Sequence, residues 1–162
     1  MKTELIAQYR CALKMLTETI EKCPDKLWED DSYINVYWRI VYHALFYTAF
    51  YVSENDEKFI PWQKHQFNSN FLGSETFDKR PIVIETSYSK ADLLAYADEI
   101  NNSLERLVTK PENIPSGFFW LPMTKMELHL YNLRHLQHHT GQLVERLHQN
   151  GIMGIPWRGI DR

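Results

Sequence analysis

TKMELHLYNLRHLQHHTGQLVERLHQN, residues 124–150, is the stretch whose reading decides the fold. Thr124 with Glu127 three residues on has the form of a capping box, and Gly151 stands where a helix ends. The segment between them reads as one long helix. Taking His135 as zero, the helical repeat places Leu128, Tyr131, His139, Gln142 and Arg146 within about 40° of it, and Asn132 near about 60°. Leu133, Leu136, Leu143, Val144 and Leu147 fall on a second arc, about 80° to 180° round. One stripe carries ligand-type groups and the other is aliphatic.

His135 and His139 lie one turn apart on the same side of this helix, where two imidazoles can share one metal ion. His138 points about 60° to the other side of His135 and is the less favoured partner. Two imidazoles make half a site. The donor for the other half is His43, in the middle of YWRIVYHALFYTAF, residues 37–50. The competing reading is bland: the histidines of the last helix face water, and His43 is a hydrogen-bonded core histidine. It leaves the alignment of Tyr131, His135, His139 and Gln142 without a reason.

Working outward, the first helix is expected over Thr3–Lys22, where Leu5, Ile6, Tyr9, Leu13, Leu16 and Ile20 recur at spacings of three and four. Pro24 stops it, and a linker follows with Trp28 as an apolar anchor and Asp30, Asp31 and Ser32 as candidate caps. The second helix is expected over Tyr33–Glu54, with Arg39, His43, Tyr47 and Phe50 along one face. It is aromatic enough to suggest a strand, but too long for one. Residues 55–88 show no clear period and hold Pro61, Gly73, Pro81 and several aromatics. This stretch is expected to be an ordered crossover with a short helix near Pro61–Asn68. Ser89 with Asp92 resembles another capping box and opens the third helix, which ends before Pro111. A linker from Lys110 to Met123 leads into the last helix. Trp157 is expected to pack down the tail.

These elements predict an all-α, four-helix bundle in one domain, residues 1–162. Short first and last linkers suit antiparallel neighbours, and the long crossover allows the second and third helices to run parallel. The 162 residues carry a net charge of −3 with 44% apolar and 24% charged residues, the composition of an ordinary globular domain and not the basic face of a nucleic-acid binder. Aromatics at 14% are numerous enough to line a pocket as well as a core. Cys11 and Cys23 form no disulfide framework and fit a reducing compartment, with Cys11 a small core residue. The N-terminus has Glu4, Arg10 and Lys14 where a signal peptide needs an apolar run, and residues 36–52 are interrupted by Arg39 and His43. The expectation is a cytoplasmic protein.

The chain resembles the DinB-like, or YfiT-like, superfamily of metalloenzymes. The resemblance covers nearly the whole chain: four helices, the long crossover, His43 in the second helix, and H-x-x-H-H-x-G-Q from His135 to Gln142. It implies an up-down-down-up bundle, often dimeric, with Ni²⁺ or Zn²⁺ held by His43, His135 and His139. His138 matches an additional histidine of the family and is not a ligand on this reading. Characterised relatives include thiol S-transferases and a mycothiol-dependent maleylpyruvate isomerase. No cluster of carboxylates suits the two-metal chemistry of a polymerase.

Three neutral imidazoles leave the full charge of a divalent ion in place, and Zn²⁺, Ni²⁺ and Fe²⁺ all accept such a set. Open positions are the catalytic pattern and acidify a bound water or thiol. Asn132, Gln142 and Tyr47 are candidates by position to orient the ligands. Gln142 and Gly141 read equally well as structural, with glycine permitting close helix contact. No general base is identified; Glu54, Glu85 and Asp78 are near in sequence only. The expected function is a metal-dependent, thiol-dependent S-transferase or hydrolase acting on a small molecule, with the aromatic crossover covering an apolar substrate. The alternative is a non-catalytic metal- or ligand-binding stress-response protein.

Overall fold

A computed structural model describes residues 1–108 and 114–160 of the chain. Its helices are α1 (Lys2–Lys22), α2 (Asp25–Trp28), α3 (Tyr37–Val52), α4 (Lys90–Leu107) and α5 (Lys125–Gln149). The protein is all-α; among the described residues the only β pairing is two isolated bridges, Glu75 with Pro81 and Pro115 with Thr124.

The caps of α4 and α5 are those the sequence predicts. Ser89 and Asp92 close one capping box, and Thr124 and Glu127 the other. Each satisfies backbone N–H groups that the first turn leaves unpaired. At the other end of α5, Gly151 adopts a φ of +75°. Its N–H donates to His148 O and that of Ile152 to Leu147 O, a Schellman ending that lays Ile152 on the core. The expected stop before Pro111 lies outside the described residues; α4 ends at Leu107.

Several expectations need correction. α3 begins at Tyr37 rather than Tyr33, and its N-cap is Val36, without a side-chain cap. Asp30 instead accepts the N–H and hydroxyl of Ser32. Tyr33 and Asn35 are taken by a tertiary partner: Arg146 stacks 4.0 Å from the Tyr33 ring and bonds Asn35 O. The short helix expected near Pro61–Asn68 is a series of turns. Trp62 stacks on Tyr96 at 4.7 Å, His65 Nδ1 meets the Tyr42 hydroxyl at 2.6 Å, and the Tyr88 hydroxyl accepts the Gln66 N–H and donates to Lys64 O. These anchors hold the segment in place of a helical ladder. Trp157 is 77% exposed and does not pack the tail. Ile152 and Ile155 lie on the core, and Arg158 pairs with Glu18. The linker at residues 23–36 adds the single-turn α2, whose Trp28 anchors it by donating to Tyr88 O.

Each long helix packs on two others: α1 on α4 and α5, and α3 on the same two. Along α3 and α5 the contacts run in opposite senses: Asn35 with Arg146, His43 with His135, Thr48 with Asn132, Ser53 with Lys125. Along α1 and α5 they advance together, from Tyr9 with His129 to Met15 with Gln137. Contacts of α3 with α4 and its approach also advance together, Trp38 with Tyr88 and then Tyr42 with Tyr96. The start of α1 meets the end of α4, where Lys2 Nζ donates to Glu105 O. The core between the helices contains Tyr9, Leu16, Ile20, Tyr37, Leu45, Leu93, Leu104, Leu136 and Leu143. No helix among the described residues is long and apolar enough to cross a membrane.

Candidate metal centre

The face of α3 that carries His43 packs against the crossover. At successive turns of α3, Tyr47 OH accepts from Asn70 Nδ2, His43 Nδ1 bonds Asn70 O, and Arg39 Nη2 donates to Phe71 O; just before the helix, Asn35 Oδ1 accepts from Gly73 N–H. Three residues spaced by four on one helix face thus hold residues 70 and 71, and Asn35 adds residue 73. Opposite them, α5 presents a buried arc that includes Asn132, Leu136, Thr140 and Leu143, with His135 and His139 on its shoulder.

The three histidines expected to converge do so. His43 Nε2 lies 3.1 Å from His135 Nε2, which lies 3.2 Å from His139 Nε2. One nitrogen of each of the three lies within 4.8 Å of the others. Two nitrogens each about 2.0–2.1 Å from one Zn²⁺ stand about 2.8–3.4 Å apart at octahedral to tetrahedral angles. Two of the three nitrogen pairs therefore already have the spacing of ligands on one ion.

The outer ring nitrogens say which lone pairs face the centre. His43 Nδ1 is 2.7 Å from Asn70 O, and His139 Nδ1 is 2.8 Å from Gln142 Oε1. Both partners only accept, so both Nδ1 atoms carry the proton and both Nε2 atoms are bare in the neutral rings. His135 has its Nδ1 buried without a protein partner. A proton on His135 Nε2 can serve only one of the two facing lone pairs; with none there, three lone pairs converge. A cation resolves either arrangement. The histidines do not supply that charge themselves: burial pushes His43 down to about 3 and His135 down to about 4, and burial also lowers His139. Three neutral imidazoles with their lone pairs pointing inward fit a divalent ion.

The neighbouring residues divide. Gln142 holds His139, and Tyr47 reaches His43 through Asn70 while its ring lies 4.8 Å from His43 and 5.5 Å from His135. Asn132, placed beside the ligands by its helical position, instead donates to Thr48 O inside the core. Gly141 makes no close helix contact, since a Cβ there would meet nothing within 4 Å. His138 is exposed, its ring 5.0 Å from that of His139. Glu54 pairs with Lys58 and Asp78 with Arg80.

Two features escape a reading of the sequence. Asn70 orients His43 through its backbone carbonyl, which has no side-chain signature. His129 is fully buried, bonded to the Tyr9 hydroxyl at 3.1 Å. The helical wheel places it at about 120°, within the aliphatic arc, and that was the available signal. No protein-family model, curated protein or solved structure matches this chain.

Proposed function

We propose that the chain is a metal-dependent enzyme of the DinB-like kind, a four-helix bundle of up-down-down-up topology with its centre at His43, His135 and His139. The observation that carries this reading is the convergence of three imidazole nitrogens whose outer partners leave the inner lone pairs free. The order of contacts along the helices supports the topology. The donor set suits Zn²⁺ or Ni²⁺, with Fe²⁺ also accepted. The proposed setting is a cytoplasmic homodimer acting on a small molecule, without nucleic-acid or membrane partners.

The proposed reaction is a thiol-dependent S-transfer, or a hydrolysis. A divalent ion in an open three-histidine set supplies Lewis acidity that makes a bound thiol or water acidic near neutral pH. The chain's own residues orient that chemistry. Asn70 O and Gln142 Oε1 fix the rings of His43 and His139, and the Tyr47 ring covers one side. In S-transfer the thiol proton passes to solvent, a carbon–sulfur bond forms, and the leaving group departs with its electron pair. The crossover contributes Phe59, packed on Phe46 and Phe50, as part of an apolar boundary.

A second reading, a non-catalytic metal- or ligand-binding stress-response protein, draws on one observation. The groups bonded to the histidines are amides and carbonyls, and burial raises the pKa of nearby Tyr47, so no acid–base group has been placed at the centre. Metal analysis of tag-free protein, then conjugation of a cellular thiol to monochlorobimane, separates the two. Metal-dependent conjugation abolished by His135→Ala supports the enzyme. Bound metal with silence across thiol, ester and amide panels favours the binding protein.

A further inference from the structure

Beside the histidine cluster, a cavity of about 420 Å³ lies between the start of α3 and the last turns of α5. Its volume is within the usual range for small-molecule sites. Gln142 is shared: its Oε1 holds His139, and its side chain lines the cavity. Arg146 lines the same cavity one turn further on. Asn35 lies on the facing wall, and Ile40 and Leu72 form an apolar side.

The polar groups here are chiefly donors. Arg146 gives one N–H to Asn35 O at 2.9 Å and stacks on Tyr33, which leaves most of its guanidinium donors uncommitted. Among the described residues no carboxylate lies within ion-pair distance of it. Asp30 acts on Arg146 electrostatically from beyond ion-pair distance, while its carboxylate accepts from Ser32. Arg146 is half-buried, so its charge is partly stripped of water without a carboxylate in direct contact. A planar guanidinium in that state matches a carboxylate two-pronged, and better than a lysine would.

Resting on the thiol-activating reading of the centre, we propose that this cavity binds a carboxylate of the thiol substrate at Arg146. The thiol's sulfur is directed to the three histidines, and the apolar wall takes the intervening chain. His139 and Arg146 are two helical turns apart, about 10 Å along the axis. That span suits a thiol of tripeptide size and exceeds cysteine itself.

The test uses full-length protein loaded with Co²⁺ and follows the thiolate-to-cobalt charge-transfer band. Glutathione, its diethyl ester and cysteamine are titrated into the parent protein, Arg146→Met and Arg146→Lys. Glutathione is expected to bind about ten- to a hundred-fold tighter than the diester, and Arg146→Met to remove that advantage while leaving Co²⁺ affinity and diester binding unchanged. Arg146→Lys, which keeps the charge without the fork, should retain part of it. Equal binding of acid and ester, or equal weakening of both by Arg146→Met, overturns the proposal alone. Absence of the band with all three thiols while Co²⁺ stays bound removes the thiol reading and the proposal together. Inorganic phosphate displacing glutathione at equal concentration, in an Arg146-dependent way, overturns the carboxylate in favour of a phosphorylated ligand.

Discussion

Replacing Gln142 with Ala removes the acceptor that holds His139 Nδ1–H at 2.8 Å. In metal sites, losing such an outer partner typically costs about 10–100-fold in affinity, or about 1.4–2.7 kcal/mol. The structure places this case at the lower end. Gln142 is exposed, so water replaces the lost acceptor and the ring keeps its tautomer for most of the time. Zn²⁺ affinity is therefore expected to fall about tenfold, while thermal stability of the metal-free protein moves by less than about 0.5 kcal/mol. Gln142→Glu supplies a charged acceptor, whose bonds are about twice as strong as neutral ones, and should bind Zn²⁺ more tightly than the parent. Competition against a chromophoric chelator measures all three affinities. An alanine variant within twofold of the parent, or a glutamate variant weaker than the alanine one, would refute the role given to Gln142.

Three further outcomes are expected. His43→Ala, His135→Ala and His139→Ala should each strip the metal, while His138→Ala and His148→Ala retain it, as read by metal content after gel filtration; loss with His138→Ala and retention with His139→Ala would move the pair to i, i+3. Gly117→Ala should destabilise the fold by several kcal/mol in urea unfolding, because a Cβ would stand 2.1 Å from Glu54 O at a φ of +92°; a change under about 0.5 kcal/mol counts against this packing. Burial, aided by Lys125, pushes His129 down to about 4 from the ordinary histidine value of 6.5. Below about pH 6.5 the unfolded chain therefore takes up a proton that the fold excludes, and stability drops by up to about 1.4 kcal/mol per pH unit down to about pH 4, where the loss levels off. Metal-free His129→Gln should show a shallower acid limb in pH-dependent unfolding, and an unchanged limb would show that the fold does not exclude a proton from His129.

What the sequence determined by itself was local. The capping boxes at Ser89 and Thr124 and the Schellman ending at Gly151 involve groups three to five residues apart, so the residue types suffice to place them. The same holds for the all-α class, which follows from apolar spacing, and for His135 and His139, whose alignment is a property of the helix. His43 was legible as a face residue one turn from Arg39 and Tyr47, though its partner was not. That partner is the backbone carbonyl of Asn70, 27 residues away. A main-chain partner carries no periodic signal, whereas the meeting of His43 with His135 was expected from their residue types. Tertiary contacts likewise set the start of α3, where Tyr33 and Asn35 serve Arg146, and turned residues 61–68 into anchors for Tyr42, Tyr88 and Tyr96. They also buried His129 on an arc that periodicity marks as aliphatic, because the Tyr9 hydroxyl of another helix meets it there. Helical geometry acts over a single turn and can be read from residue order, whereas the choice of partner belongs to the packed chain, where burial makes each polar group find one.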